Sequence, residues 1–290
     1  MRAHALDGRL IHAGERMRIV ARMPRLALVT GASTGIGRAT AVHLAGRGFH
    51  VLAGVRDPAD APGGTEALQL DVTSADDVTA AAERVGSELH ALVNNAGIAV
   101  AGPVEVVPLE DWRRVLEVNL LGQIAVTRAL LPALLSARGR IVNMSSIGGR
   151  VASPLFGPYS ASKFGLEAVS DALRRELAPH GVRVVSVEPG GIRTPIWDKG
   201  MDDARAITAT MTPEQERRYA GVIAAVGKAV QRIARDGLAP EAVAEVVGEA
   251  IASPRPRARY VIGREARIQA VAARLLPDRV FDGLVRRALT

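Results

Sequence analysis

The sequence predicts an α/β fold: a single doubly wound parallel sheet with helices on both faces, followed by a C-terminal helical extension. Three observations carry that expectation. Seven short runs are apolar at consecutive positions, as strands buried on both faces are. Amphipathic stretches separate them, and strict alternation of strand and helix builds a parallel sheet from crossover units. The 290 residues are 48% hydrophobic, enough for one large core, with no repeat or low-complexity linker to divide it.

The first run, "RLALVT" at 25–30, ends in "GASTGIG", where Gly31, Gly35 and Gly37 allow an abrupt turn into a helix over 37–46. Such a turn brings the backbone close to a pyrophosphate and offers it the helix N–H groups, so a dinucleotide site is expected there. Three loosely spaced glycines are a weak signal alone; their place between first strand and first helix gives them weight. "HVLAGV" (50–55) and "EALQL" (66–70) are the second and third strands, the third running into "LDVT" with Asp71 and a helix over 74–85. "ALVNN" (91–95) is the fourth and ends in "NNAG" (94–97). Polar residues at the carboxyl ends of parallel strands face the crevice where such sheets bind ligands. Asp71 equally suits a helix cap, and Asn94 and Asn95 a turn. A long helix over 109–136 leads to the fifth strand, "RIVNMSS" (140–146), and a helix over 161–177 to the sixth, "VRVVSVE" (182–188). The helix "PEAVAEVVGEAIA" precedes the seventh, "RYVIG" (259–263).

Two regions break the rhythm. Residues 195–239 form an insertion long enough to be a lid, with Ile196, Trp197, Met201 and Met211 as candidate walls of an apolar substrate site, since Trp and Met supply adaptable apolar area. After 263, Ile268, Val271, Leu275, Val280, Phe281, Leu284 and Val285 recur at helical spacings, with Pro277 opening a second helix. The expected organisation is a disordered, dispensable tail over 1–24, with Met17 and Met23 as alternative starts, then one catalytic domain over 25–263. The extension over 264–290 is expected to pack on the domain, a subunit partner or the substrate mouth.

A net charge of +7 would suit nucleic acid if it lay on the folded body. It lies at the ends: residues 1–25 hold six arginines against two acids, residues 254–290 nine against three, and between them 25 acids outnumber 22 cations. A nucleic-acid partner is therefore not expected, and peripheral membrane contact by the basic C-terminal extension is the lesser alternative. No uninterrupted apolar run approaches 18 residues, and no apolar stretch precedes a cleavage site near the N-terminus. The chain has no cysteine, which removes thiol chemistry and fits a reducing cytoplasm.

The stretch "GPYSASKFGLEAVSDALRREL" (157–177) concentrates the chemistry. Only three of 37 cations are lysines, Lys163, Lys199 and Lys228, and one of them follows one of three tyrosines, Tyr159, by a helical turn. Chance placement gives roughly 0.03 such pairs. In a chain that otherwise chooses Arg, a lysine here marks a need for a compact, movable ammonium. Ser145 and Ser146 end the fifth strand, and a strand-end hydroxyl can converge with a tyrosine in the next helix on one substrate oxygen. Nucleophilic serine catalysis is not expected, because none of the six histidines (4, 11, 43, 50, 90 and 180) falls at a strand's carboxyl end. No metal is expected.

Taken together, "TGASTGIG", "LDVT", "NNAG", "VNL" with Asn119, "SS" with Ser146, "YSASK" and "EPGGIRT" occur in the order and spacing of the short-chain dehydrogenase/reductase family, which the chain resembles over nearly all of 25–263. Each motif is modest alone, and the conjunction is highly specific. The resemblance implies a Rossmann-type fold, a nicotinamide cofactor and an active site of Asn119, Ser146, Tyr159 and Lys163. Gly31, Ser33, Thr34, Gly35, Ile36 and Gly37 would form the phosphate loop. Asp71 and Val72, then Asn95, Ala96 and Gly97, would meet the cofactor at the next strand ends. Pro189, Gly190, Ile192 and Thr194 would follow, Thr194 near the carboxamide. Tyr159 would exchange a proton with the substrate oxygen, its pKa lowered from near 10 by the Lys163 ammonium, which would also hold the ribose hydroxyls. Ser146 would hydrogen-bond the same oxygen, and Asn119 would anchor a water that passes protons to Lys163. A guanidinium cannot deprotonate and could not join that relay.

The resemblance also bears on cofactor and substrate. Val55 stands where family members using NAD generally place Asp, and Arg56 follows, so NADP(H) is expected over NAD(H), with Arg56 pairing the 2′-phosphate. Against this, Asp57 could take Arg56, and Thr34 stands where many NADP users place a second basic residue, for which Arg38 could substitute. The lid, "EPGGIRTPIW" and the extension resemble the 17β-hydroxysteroid and retinol dehydrogenase branch, implying a lipophilic alcohol or carbonyl substrate and a homodimer or homotetramer. The alternatives are a 3-oxoacyl thioester reductase, whose relatives are typically shorter, and a non-catalytic nucleotide-binding regulator, which would not need Ser146, Tyr159 and Lys163 together.

Overall fold

The computed structural model describes residues 25–288, so the expected tail over 1–24 lies outside the described residues. Seven parallel strands are found among the described residues: β1 (Leu26–Thr30), β2 (His50–Val55), β3 (Glu66–Gln69), β4 (Ala91–Asn94), β5 (Arg140–Met144), β6 (Arg183–Pro189) and β7 (Arg259–Ile262). Their order is β3-β2-β1-β4-β5-β6-β7. β1 has β2 on one side and β4 on the other, Leu28 standing beside both Leu52 and Leu92, and the direction of winding reverses there. A crevice opens at the strand ends of such a reversal, which is where ligands bind in open sheets of this kind.

Alternate residues of each strand feed opposite cores, as the two-residue period of a strand requires. On one face Ala27, Val29 and Val51 pack with Ala41 and Leu44 of α1 (Gly35–Gly46) and Val243 and Val247 of α8 (Pro240–Ala252). On the other, Leu28, Leu52 and Leu92 pack with Val78 and Ala81 of α2 (Ala75–Val85) and Val126, Leu130 and Leu134 of α4 (Gly122–Ala137). All seven sequence-predicted strands are present within two residues. Alternation is not strict, however: the crossover from β2 to the parallel edge strand β3 is a loop with a single 3-10 turn, Pro58–Asp60, in place of a helix.

Three further details differ from expectation. The helix expected over 161–177 begins earlier, as α5 (Gly157–Leu177), because Pro158 is tolerated in a first turn whose N–H groups have no intrahelical partner. The helix over 109–136 divides into α3 (Leu109–Leu116), a π turn (Glu117–Leu121) carrying Asn119, and α4. The whole of Leu109–Ala137 is long and apolar enough to cross a membrane by length and composition, yet its Val126, Leu130 and Leu134 sit in the sheet's core, so it is a core helix.

The insertion folds as α6 (Ile196–Thr208) and α7 (Pro213–Asp236), the second opened by a reciprocal Thr212–Gln215 cap. Ile207 of α6 packs with Val100, Val107 and Val115, and the Arg114–Asp203 pair (3.0 Å) adds a polar tie to α3. Glu105 receives Arg218 Nη1 and Tyr219 Oη of α7, both at 2.6 Å. Last come α9 (Arg264–Leu275) and α10 (Asp278–Ala288). α9 buries Ala266 and Ala270 beside β7, while Ile268, Val271, Leu275, Val280 and Leu284 remain exposed. The extension thus docks by small residues and leaves its large apolar ones outward.

Candidate active site

A cavity of about 580 Å³ follows the carboxyl ends of the strands from Arg56 to Trp197. Its floor is the turn from β1 to α1. Gly31 and Gly35 hold φ of +64° and +54°, where side chains are strained, and a Cβ on Gly37 would run into the Gly31 carbonyl. Asn95 Nδ2 fixes this turn through Thr30 O (3.0 Å) and Gly31 O (3.1 Å), and Thr30 Oγ1 accepts from the N–H groups of Asn95 and Ala96. The N-terminus of α1 has no side-chain cap among the described residues and no acid in its first turn, so its N–H groups suit an anion.

Of the expected cofactor residues, Gly31, Ser33, Thr34, Gly35, Ile36, Arg56, Asp71, Val72, Asn95, Ala96 and Gly97 line this cavity, and so do Pro189, Gly190, Ile192 and Thr194. Gly37 lies behind the wall and acts through close packing. A Cβ on Gly35 would meet Thr194 Cγ2 at 3.1 Å, so loop and β6 strap touch across the cavity. Asp71 does not cap α2; Ser74 does, accepting from Asp77 N. Burial alone would raise the Asp71 carboxyl, but bonds from Thr73 N and Oγ1 and the field of Arg56 hold it below its ordinary range. Asn94 is structural, donating to Thr127 Oγ1 and Asn143 Oδ1. Asp57 accepts from Ala59 N at 2.9 Å, and Arg56 is exposed at the cavity's end. A nicotinamide dinucleotide fits this set: a glycine cradle without room for Cβ atoms, open helix N–H groups and a cation at the far end.

At the other end Ser146, Tyr159 and Lys163 share the cavity wall. Ser146 Oγ accepts from Gly148 N at 3.0 Å, leaving its hydrogen to donate. Lys163 is buried, gives one hydrogen to Met144 O at 2.8 Å and keeps two. Burial pulls its pKa from 10.5 to about 8, opposed by the charge of Glu167. The Tyr159 phenol departs from the expected lowering by Lys163: burial raises it above its ordinary value, a hydrogen bond with Ser146 opposes that, and the ammonium lies 5.7 Å from the ring centre. Asn119 is fully buried behind the wall. Its Oδ1 accepts from Ile98 N (2.8 Å) and its Nδ2 donates to Ile98 O (2.9 Å) and Ser162 Oγ (3.0 Å). Both Nδ2 hydrogens are thus committed to Ile98 and Ser162, while Oδ1 accepts one bond.

The substrate end corrects the lid expectation in part. Ile196 and Trp197 line the cavity; Met201 and Met211 are not among its lining residues, Met211 being buried in the turn between α6 and α7. Ile207 packs from α6 against Val100, Val107 and Val115; Met201, six residues earlier, is on another side of the helix, and Met211 lies beyond the helix end. Trp197 Nε1 donates to Ile192 O at 2.8 Å. Phe156, which sequence reasoning missed, stands edge-on to both Tyr159 (6.4 Å between centroids) and Trp197 (6.0 Å). Its position three residues before the tyrosine was the available signal. Ile98, Ala99, Val118 and Arg114 were also missed; only Val118, beside Asn119 in "VNL", was marked by a motif.

Comparison with known proteins agrees with this geometry. A family model described as short chain dehydrogenase matches residues 25–205. The chain is 37% identical over 282 residues to an NADPH-dependent 3-dehydrocapnine reductase of Ornithobacterium rhinotracheale, covering 91% of this chain and 97% of that one. It is 39% identical over 279 residues to retinol dehydrogenase 5 of Mus musculus, covering 89% and 86%. A solved short chain dehydrogenase from Burkholderia cenocepacia J2315, in complex with NADP, matches with a TM-score of 0.71 at 30% identity, over 92% of this chain and 98% of that one.

Proposed function

The chain belongs to the short-chain dehydrogenase/reductase family and is an oxidoreductase acting on CH–OH groups, and from that premise we propose that it interconverts a lipophilic carbonyl and its alcohol, with NADP(H) preferred and Tyr159 as general acid/base. The observation that carries this reading is the single cavity with Ser146, Tyr159 and Lys163 at one end and Arg56 at the other. The nicotinamide, when bound, supplies or accepts the hydride. Tyr159, held neutral by burial, gives its phenolic proton to the carbonyl oxygen during reduction. Ser146, whose Oγ accepts from Gly148 N, turns its hydrogen from the phenol to that oxygen as charge develops on it. Lys163 offers its two remaining hydrogens to ribose hydroxyls and, with a pKa of about 8, is poised to replace the tyrosine proton near neutrality.

Arg56 supports the preference for NADP(H), because a guanidinium forms charge-assisted bonds with a phosphate that a 2′-hydroxyl cannot match. The NADPH named for one relative and the NADP held by one neighbour agree with it. A lipophilic substrate is supported by the apolar mouth of Ile98, Ala99, Ile196 and Trp197, with the Arg114–Asp203 pair at the rim. The experiment is a cofactor-consumption screen with NADPH and NADH against steroid ketones, retinoids, medium-chain aldehydes and 3-oxoacyl thioesters. Turnover of an extended apolar carbonyl with NADPH is expected; a preference for the thioesters would make the chain an acyl-chain reductase.

A further inference from the structure

One helical turn beyond Lys163 on α5, Glu167 is buried, and it belongs to an ionic cluster that the proposed chemistry does not use. Arg259 of β7 donates Nε to Glu167 Oε2 (2.8 Å) and Nη2 to Asp171 Oδ1 (2.7 Å), and its Nε lies 3.3 Å from Glu188 Oε1. Arg150 binds the same Glu188 of β6 with Nε at 2.5 Å and Nη2 at 3.0 Å. Arg150 and Arg259 are half-buried, and Arg174 and Arg175 also reach Asp171 from α5. None of these guanidinia is bonded to Glu167 Oε1, and Lys163 is a buried cation on the same helix.

The packing joins them. Gly149 follows the end of β5, and a Cβ there would meet Ser145 Oγ at 2.9 Å, Lys163 O at 3.0 Å and Glu167 Cγ at 3.1 Å. The missing side chain lets the serine loop settle against the lysine and glutamate turns. Within this tight contact Glu167 Oε1 has no hydrogen-bond partner among the described residues. A buried carboxylate with one open oxygen, rooted one helical turn along α5 from a desolvated ammonium, lowers the cost of keeping that ammonium charged.

We propose that Glu167 is a positioning residue for Lys163: its carboxylate, anchored by Arg259, is the counter-charge that keeps the active-site lysine protonated in a pocket that would otherwise strip its proton. The functional consequence rests on the reading of Lys163 given above; the coupling between the two side chains does not. Burial draws the lysine down and the Glu167 charge opposes it, the direction such a pair must show. The charged and titratable groups around it are Tyr159, Glu167 and Asp171 on α5, Glu188 on β6, Arg150 after β5 and Arg259 on β7.

Three lysines in the chain make the test direct. The full chain labelled with 13C,15N-lysine gives three side-chain signals, and Lys163→Arg identifies that of Lys163. Its titration midpoint, near 8 in the wild type, is expected to fall by about 1 pH unit in Glu167→Gln and to rise in Arg259→Gln, where the carboxylate loses its neutralising partner. Opposite shifts cannot come from general loosening of the fold. Unmoved midpoints, or shifts of the same sign, overturn the proposal; should Glu167→Gln not fold, a rise in Arg259→Gln supports it and no change or a fall overturns it. The pH profile of kcat read alongside separates the two ideas. A lysine that shifts while the profile stays still upholds the coupling and removes Lys163 from the chemistry.

Discussion

Lys163 Nζ donates to Met144 O at 2.8 Å while lying 5.7 Å from the centre of the Tyr159 ring. The ammonium is therefore tied to the end of β5 rather than to the phenol, and what it loses by burial shows in stability. Folded, it titrates near 8; unfolded, near 10.5. Between those values the unfolded chain binds more protons, so this group's contribution to stability is present above about 10.5 and is lost as pH falls through about 8. Urea unfolding of wild type and Lys163→Met should show the wild type gaining on the variant as pH rises through that window. A constant difference, or one that shrinks, contradicts the assignment.

Trp197 should govern the substrate and not the cofactor. Its indole is fixed by Ile192 O and packed against Phe156, itself against Tyr159. Trp197→Ala is expected to lower kcat/KM for the best lipophilic carbonyl by about tenfold or more and to leave the NADPH dissociation constant in place. Equal kinetics in both proteins would move the substrate elsewhere.

Arg56 should set the cofactor ratio. Because the residue is exposed, its contact with a 2′-phosphate is screened, and removing it should cost about tenfold in preference for NADPH over NADH. Steady-state kinetics of Arg56→Ala with both cofactors measure this. An unchanged ratio, or a wild type that prefers NADH, reverses the cofactor assignment.

The apolar face of the C-terminal helices should bury itself in a homo-oligomer. Ile268 and Leu275 stand 59% and 71% exposed, one turn apart from Val271 along α9, a patch that single molecules rarely leave to water. Light scattering should report a dimer or tetramer for the full chain, reduced in mass by Leu275→Asp. A monomer that floats with anionic vesicles would assign the face to a bilayer instead.

The sheet was legible because its strands are buried on both faces, so "RLALVT" and "RIVNM" carry their assignment in composition alone. Gly31, Gly35 and Gly37 were legible because each occupies a place where a side chain is strained or blocked. Tyr159 and Lys163 stood out through spacing in a lysine-poor chain. Phe156 and Ile98 were not visible, since an aromatic or aliphatic residue in a loop looks the same whether it meets core or cavity. Asn119 was marked by its place in "VNL", whereas the bonds its amide makes to Ile98 and Ser162 are facts of tertiary contact that no motif carries. Met201 and Met211 do not line the cavity, because the break between α6 and α7, which the sequence reading did not place, puts Met211 past the helix end and the packing of Ile207 sets which side of α6 turns inward.

Tyr159→Phe tests the central claim most directly, since it removes one oxygen and keeps the ring that meets Phe156. Carbonyl turnover should fall by about 10²- to 10⁴-fold, the worth of a positioned general acid, while NADPH binding by fluorescence titration stays at the wild-type value. Retained turnover with intact cofactor binding would contradict the account and leave the proton to another group.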